Sequence, residues 1–238
     1  MKSGKRTALT IVQVILGLLV LCGAAWLVFK AVGYWQAQQV YKGVEFAYAN
    51  DLSVDEDDPI DFVALQERYP DVVAWIKMDD VDVSYPVVQG SDNDFYLYND
   101  LDGQACVAGS IFLDYRTQSL DTDRYAIMYG HNMRDESMFG RLDDYLSKEF
   151  YEKGTDSFTV YTPKKTYRYK IFAVNVVDPT DEVFTMGYVN TGVFDGVVRE
   201  MKANSIYDTG VEVAGSDHVL TLSTCSDSDR LVLSAKRM

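Results

Sequence analysis

An uncharged apolar run near the N-terminus divides the chain into two unequal parts. From Ala8 to Phe29 the sequence reads ALTIVQVILGLLVLCGAAWLVF, which is 22 residues without a charged side chain. A helix of that length rises about 33 Å, enough to cross a hydrocarbon core of about 30 Å. Residues 8–29 are therefore predicted to form a single transmembrane helix.

The flanking charges predict the orientation of this helix. Lys2, Lys5 and Arg6 precede the run, and the whole chain carries a formal net charge of -14. The positive-inside rule then predicts a cytoplasmic tail at 1–7 and an extracellular remainder. A cleaved signal peptide is the alternative, but its apolar segment usually holds only about 7–15 residues. The pattern favours a permanent anchor in the cell membrane.

The charge and the cysteines exclude several classes of protein. No cluster of Lys and Arg follows Lys30, so nucleic-acid binding is not expected. The three cysteines, Cys22, Cys106 and Cys225, do not form a disulfide framework. A free thiol in an exported domain serves either as a small buried hydrophobic residue or as a reactive group.

After the anchor, the residue pattern changes near Trp75 from helical spacing to short β-rich runs. Residues 31 to about 75 show helical spacing, which predicts juxtamembrane and N-terminal helices over 30–74. From residue 75 to 238 short β-rich runs alternate with turn residues. This pattern predicts a mostly β fold with added helices, a closed or nearly closed barrel rich in antiparallel strands. Two helices are expected to interrupt the strands, at Ser137–Lys153 and at Val193–Asn204, and a hairpin is expected at Thr162–Lys165.

Cys225 ends the strand-like run HVLTLSTC, and a turn cluster separates it from the run RLVLSAKRM. If the two runs pair as a hairpin, Arg230 lies beside Cys225, because neighbouring strands are about 4.8 Å apart. A guanidinium at that distance favours the thiolate and stabilises an oxyanion. The alternative is a surface arginine that caps the turn.

A nucleophilic thiol needs a proton partner, and the chain contains two histidines. His218 precedes Cys225 by seven residues in one predicted strand, which separates them by about 23 Å. His131 follows a different run, RYAIMYG, at the start of a loop. His131 is therefore the better candidate. Structural zinc needs four Cys or His ligands, and there is no C-x-x-C pair, so neither a metal nor another cofactor is predicted.

Several segments resemble class B sortases. The segments are TLSTC at 221–225 with Arg230 after it, YGHNMRDESMFGRL at 129–142, and VVAWIKMDDVDVSYPVVQGSDNDFYL at 72–97. The helix at 193–204 and the anchor match the same family. The resemblance implies an eight-stranded sortase β-barrel over 75–238, with Cys225 as nucleophile, His131 as acid and base, and Arg230 as oxyanion stabiliser.

The same resemblance implies partners and further site residues. Such enzymes cleave a C-terminal sorting signal of secreted proteins, in class B of the Asn-Pro-x-Thr type. They transfer the acyl group to an amine of lipid II or a peptidoglycan cross-bridge, or to a pilin lysine in relatives that assemble pili. Positions that line the peptide groove are expected at Asn93, Leu97, Ser223 and Thr224. A catalytically silent, membrane-tethered binding module and a cysteine peptidase that uses water remain alternatives.

Overall fold

The computed structural model describes residues 2–49, 59–154, 156–188, 191–226 and 228–238. In this part of the chain eight strands close into a barrel in the order β1-β2-β3-β4-β7-β8-β6-β5. The strands are β1 (Val72–Met78), β2 (Val83–Val88), β3 (Ile111–Leu113), β4 (Tyr125–Tyr129), β5 (Ser157–Tyr161), β6 (Thr166–Val177), β7 (Val219–Ser226) and β8 (Asp229–Arg237). The predicted mostly β barrel with added helices is confirmed.

Two of the strand pairs are parallel, β2 with β3 and β4 with β7, and the other pairs described are antiparallel. A parallel pair needs a long crossover, because the chain must return to the same end of the sheet. The crossovers here are the segments 89–110 and 130–218. They carry most of the loops and helices outside the barrel.

The N-terminal helix α1 (Lys2–Tyr48) is unbroken from the predicted anchor to the folded domain. Among the described residues it is the one helix with the length and hydropathy to span a bilayer, and its most apolar window is wholly exposed. Its last turns pack against the barrel, where Ala37, Tyr41 and Val44 are buried. The Tyr41 hydroxyl donates to the Gly109 carbonyl over 2.6 Å. The apolar span and the domain are thus joined by one continuous helix.

The helical pattern before the barrel ends earlier than the sequence predicted. Helix α2 (Phe62–Arg68) stops at Tyr69, and β1 already begins at Val72. Pro70 explains the early stop, because a proline disfavours helical backbone at the residue before it and lacks an N–H. The prediction of helix up to about residue 75 is wrong from Tyr69 onward.

The predicted helix Ser137–Lys153 is also wrong as one element. The segment forms a 3₁₀ helix at Gly140–Leu146 and a separate helix α4 (Lys148–Glu152), after the short α3 (Phe95–Tyr98) upstream. Ser147 separates the two because its backbone is extended and its hydroxyl caps the new helix by accepting the Phe150 N–H.

The other predicted helix is confirmed as α5 (Thr191–Ala203). Its apolar side packs on the outer face of the barrel, where Phe194 and Val198 meet Phe172 of β6 and Val219 of β7. The alternate residues of β7, Leu220 and Leu222, belong to a separate core cluster. Strand β7 therefore presents one face to the barrel core and the other to the layer that contains α5. The predicted Thr162–Lys165 turn joins β5 to β6, with the Thr162 N–H donating to the Lys165 carbonyl.

Candidate active site

Three neighbouring strands end at the same edge of the barrel, and their register brings the predicted trio together. In the parallel pair of β4 and β7, Tyr129 lies opposite Ser223. The Gly130 N–H continues this pairing by donating to the Ser223 carbonyl over 3.2 Å. Two residues beyond this pair are His131 on one side and Cys225 on the other. In the antiparallel pair of β7 and β8, Cys225 lies directly opposite Arg230.

The His131 ring is held by a main-chain carbonyl. Its Nε2 lies 2.7 Å from the Leu97 carbonyl oxygen. A carbonyl accepts hydrogen bonds and cannot donate, so Nε2 carries a proton in this geometry. The nitrogen that remains free to exchange a proton with a thiol is Nδ1. The Tyr98 ring lies beside the imidazole, with 6.4 Å between ring centroids.

Hydrogen bonds within the loop and to β2 hold the loop that follows His131. The Phe139 N–H donates to the His131 carbonyl over 3.1 Å, and the Met138 N–H donates to the Tyr85 hydroxyl over 3.1 Å. Helix α1 supports the same loop, because the Gln38 amide donates to the Asp135 carboxylate over 3.1 Å. His131 therefore sits in a loop that three separate elements restrain.

His218 lies at the other end of β7, as the strand argument predicted. It directly precedes Val219, and its Nδ1 is 2.9 Å from the Asp123 carbonyl oxygen. The whole length of β7 separates it from Cys225. Of the two histidines, His131 is the one at the edge of the barrel where Cys225 lies, and its role as proton partner stays a prediction.

The Arg230 side chain is half-buried at the start of β8. Its Nη1 donates to the Asp229 carbonyl over 3.2 Å. Within the described ranges no carboxylate forms an ion pair with this guanidinium. Because two-pronged guanidinium donors match planar oxygen acceptors, the remaining N–H groups can bind a carbonyl or an oxyanion.

Comparison with known proteins agrees with this geometry. The family model described as the sortase domain matches residues 76–238. The chain belongs to the sortase family. Sortase B of Listeria monocytogenes is 34% identical over 177 residues, which cover 72% of this chain and 72% of that protein. A structure of sortase B from B. anthracis in complex with AAEK1 has a TM-score of 0.78 at 31% identity, covering 87% of this chain and 98% of that one.

A second structure, a Staphylococcus aureus sortase B–substrate complex, also has a TM-score of 0.78, at 28% identity, with 87% of this chain and 98% of that chain covered. Both the sequence and the structural relatives are of class B, so this sortase is a class B member. Sortases are cysteine transpeptidases. Family membership therefore favours a transpeptidase over the catalytically silent binding module.

The sortase has two cysteines besides Cys225, and neither has the surroundings of a nucleophile. Cys22 lies in the apolar span. Burial raises the pKa of the Cys106 thiol, which favours the unreactive neutral form. The side chain of Cys225 lies outside the described part of the structure, so its place rests on the strand register. That register puts it within one strand spacing of an arginine.

The expected groove residues on β7 fall on different faces. Ser223 shares a face with Thr221 and with position 225, whereas Thr224 alternates with them and shares the face of Leu222. Both hydroxyls are buried, and within the described residues neither has a hydrogen-bond partner. Ser223 therefore lies on the same face of β7 as position 225. A groove contact by Thr224 stays a prediction that the strand alternation disfavours.

A buried aspartate near the site was missed by sequence reasoning. Asp114, directly after β3, has a side chain with no exposed surface. It accepts hydrogen bonds from the Arg116 guanidinium at 2.7 and 2.8 Å, from the Asn93 amide at 2.9 Å and from the Tyr129 hydroxyl at 3.0 Å. Burial by itself raises the pKa of Asp114, but the hydrogen bonds from Arg116 and Asn93 outweigh it and the net pKa is lowered.

This aspartate connects two parts of the expected groove. Tyr129 is the last residue of β4, two positions before His131, and Asn93 is one of the predicted peptide contacts. Both polar atoms of the Asn93 amide are occupied, because its Oδ1 also accepts the Tyr115 N–H over 3.1 Å. Leu97 likewise contributes through its main chain by holding His131. Substrate contact by either side chain stays a prediction. The sequence signal for this cluster was an aspartate at the end of an apolar strand, followed two positions later by an arginine.

Within the described residues no group of three or more His, Cys, Asp or Glu is arranged to hold a metal ion. The predicted trio itself carries a thiol, an imidazole and a guanidinium.

Proposed function

We propose that this sortase is anchored in the cell membrane, cleaves an Asn-Pro-x-Thr type sorting signal at the C-terminus of secreted proteins, and transfers the acyl group to an amine of a cell-wall precursor. The observation that supports the proposal is the register of β4, β7 and β8, which brings Cys225, His131 and Arg230 to one edge of the barrel.

In the first half of the reaction the Cys225 thiolate attacks the carbonyl carbon of the threonine, and the carbonyl oxygen becomes an oxyanion. The carbon–nitrogen bond then breaks as His131 gives its Nδ1 proton to the leaving amine. The product is a thioester between the threonine carbonyl and Cys225. Because the Leu97 carbonyl occupies Nε2, the imidazole is fixed with Nδ1 as the exchanging nitrogen.

In the second half the acceptor amine attacks the thioester carbon. Nδ1 of His131 takes the proton that this amine loses, and Cys225 leaves again as the thiolate while the new amide forms. Arg230 donates hydrogen bonds to the oxyanion in both halves, an interaction typically worth 10²- to 10³-fold in rate. We propose that the buried Ser223 hydroxyl forms a hydrogen bond with the peptide backbone on the same face.

The anchor of the proposed enzyme is residues 8–29, with 1–7 in the cytoplasm, 30–74 as a juxtamembrane segment that contains the end of α1 and all of α2, and 75–238 as the extracellular catalytic domain. The exposed apolar surface of α1 and the three cations before it support this arrangement. A protease added to intact cells should digest the domain and spare a tag at the N-terminus. Digestion of the tag by external protease would reverse the topology.

The test of the nucleophile is acyl-enzyme formation. Incubating the full chain with a peptide that carries an Asn-Pro-x-Thr motif should add the acyl mass to the protein in intact mass spectrometry. Cys225→Ala should abolish the adduct and the turnover, whereas the matched variant Cys106→Ala should retain both. Turnover that survives in Cys225→Ala would contradict the mechanism.

The choice of acceptor is tested by adding amines to the same assay. Transfer to a soluble analogue of a cell-wall amine supports the proposed transpeptidase. Release of free acid with no gain from added amines would indicate a cysteine peptidase, and a preference for a peptide with a pilin-type lysine would indicate pilus assembly.

A further inference from the structure

A cleft of about 510 Å³ lies between helix α1 and the loop at 104–107. It is separate from the active edge, the edge of the barrel that carries Cys225, His131 and Arg230. Most of its wall is apolar and open to the outside. Val107 is 40% exposed and Trp35 is 61% exposed. The main apolar lining residues are Phe29, Val32, Trp35, Ala105, Cys106 and Val107. A contiguous apolar surface of this kind on an exported domain marks a place of contact with another apolar phase.

The position of the cleft along α1 gives its height above the bilayer. The predicted span ends at Phe29, and the loop at 104–107 contacts the helix at Gly33, where a Cβ would lie 3.6 Å from the Val107 side chain. Four residues of helix rise about 6 Å. The headgroup region is about 5–8 Å deep on each side of the hydrocarbon core. The mouth of the cleft is therefore at headgroup depth when α1 spans the membrane.

The side chains around this level have the composition of a membrane interface. Trp26 and Trp35 are both exposed, and the Lys30 ammonium lies 5.9 Å from the centroid of the Trp26 ring. Tryptophan rings prefer the headgroup level, and a lysine there extends its charge toward lipid phosphate. The cleft adjoins the exposed apolar surface of the span, because Phe29 belongs to both and Val32 lies three residues further along α1.

We propose that this cleft, formed by residues 29–40 and 104–107, binds membrane lipid at the level of the glycerol and the first acyl carbons, and so holds the barrel against the bilayer in one orientation. The inference rests on the proposed membrane anchoring. The occupant is lipid because the cleft is one helical turn from the hydrocarbon edge and shares its wall with the span.

The consequence for the reaction follows from the contacts of the same loop. The Cys106 N–H donates to the Tyr98 carbonyl over 2.9 Å, directly after Leu97, whose carbonyl holds His131. The histidine loop meets α1 at Gln38, nine residues beyond Phe29, which is about 14 Å of helix rise. Lipid in the cleft therefore places the active edge within reach of an amine that is itself attached to a membrane lipid.

Depth-dependent quenching tests the docking without relying on catalysis. In the full chain with all three native cysteines replaced by alanine, Val107→Cys carries a fluorophore, and Ile206→Cys is the control. Ile206 is 45% exposed and follows α5, outside the cleft. In lipid nanodiscs, headgroup nitroxide lipids should quench the probe at 107 several-fold more strongly than the probe at 206. Equal quenching at the two positions would overturn the proposal. Ala105→Cys is a second reporter if Val107→Cys fails to fold.

A functional comparison then separates docking from chemistry. Val107→Asp should lower transfer to a lipid-linked amine several-fold and leave transfer to a soluble amine unchanged, whereas Ile206→Asp should change neither. Unchanged transfer to the lipid-linked amine in Val107→Asp counts against the docking role. If the wild-type chain transfers no acyl group to a soluble amine, the proposed transpeptidase is refuted. The quenching result does not depend on catalysis and would still test the docking.

Discussion

Replacing Asp114 by asparagine removes a negative charge from a side chain that the fold encloses completely. The change keeps nearly the same shape, so its effect reports on the charge and its hydrogen bonds rather than on a cavity. In the folded protein that carboxylate accepts from Arg116, Asn93 and Tyr129. Asparagine offers one acceptor oxygen, and its NH₂ group faces donors where the second oxygen was.

The magnitude follows from the burial of the two partners. Breaking a buried ion pair costs about 3–5 kcal/mol, because it leaves an uncompensated charge. The Arg116 side chain is 38% exposed, so water solvates part of the charge that loses its partner. We therefore expect the free energy of unfolding to fall by about 2–3 kcal/mol. For a domain of this size that lowers the Tm by roughly 5–10 °C.

A second Asp–Arg pair provides a matched control. Asp144 pairs with Arg141 over 2.8 Å, as Asp114 pairs with Arg116 over 2.7 Å, and the two arginines are similarly exposed. Asp144 itself is 40% exposed, so Asp144→Asn should cost less than about 1 kcal/mol. Urea denaturation of both variants measures the difference. If Asp114→Asn costs no more than Asp144→Asn, burial of the carboxylate is not what makes the cluster stable.

The pH dependence provides an independent check of the same reasoning. A group with a pKa that is lowered by folding contributes stability above its unfolded pKa and loses it as the pH falls through the folded pKa. The ordinary value for Asp114 is 3.8. The gap in stability between the wild type and Asp114→Asn should therefore be constant from neutral pH to about 4 and shrink at lower pH. A gap that stays constant throughout would refute the assignment to the charge.

Three further experiments probe the active edge. Gly109→Ala should lower the Tm and kcat together, because Gly109 has a φ of +56° and an added Cβ would lie 2.5 Å from the Leu97 carbonyl oxygen that holds His131; an unchanged kcat would show that this carbonyl is not needed. Arg230→Ala should reduce kcat about 10²- to 10³-fold in a peptide transfer assay, and Arg230→Lys should restore only part, because lysine keeps the charge and loses the fork. A methanethiosulfonate reagent should label Cys225 much faster than Cys106, as followed by mass spectrometry; equal rates would mean that Cys225 is not activated.

The sequence was informative where local rules determine position. The alternation in HVLTLSTC and the turn residues after it predicted a hairpin, and β7 and β8 pair with Cys225 opposite Arg230. The single apolar run predicted a long N-terminal helix, and α1 covers it. Both features depend on residues that are close in the chain. Neither requires knowledge of the rest of the fold.

Errors arose where two local signals competed or where distant segments meet. Helical spacing before residue 75 concealed the end of α2 before Pro70 and the β-branched residues after it. Downstream, one helix was predicted where Ser147 caps the start of a separate helix, α4. The cluster around Asp114 joins residues 93, 114, 116 and 129, and local spacing does not reveal that these meet. The same limit applies to the carbonyl that holds His131, which lies 34 positions earlier in the chain.

Long-range contacts therefore matter more for the histidine than for the cysteine. Cys225 and Arg230 belong to one hairpin, whose register two adjacent strands maintain by themselves. His131 depends on the Leu97 carbonyl, on Gly130 bonding to β7, and on a loop that Gln38 of α1 also supports. Loops outside the core open locally at a lower free energy than core strands do. His131, the proposed acid–base partner, is thus the residue of this site that the crossover loops and α1 can adjust, whereas the β7–β8 hairpin alone determines the position of Cys225.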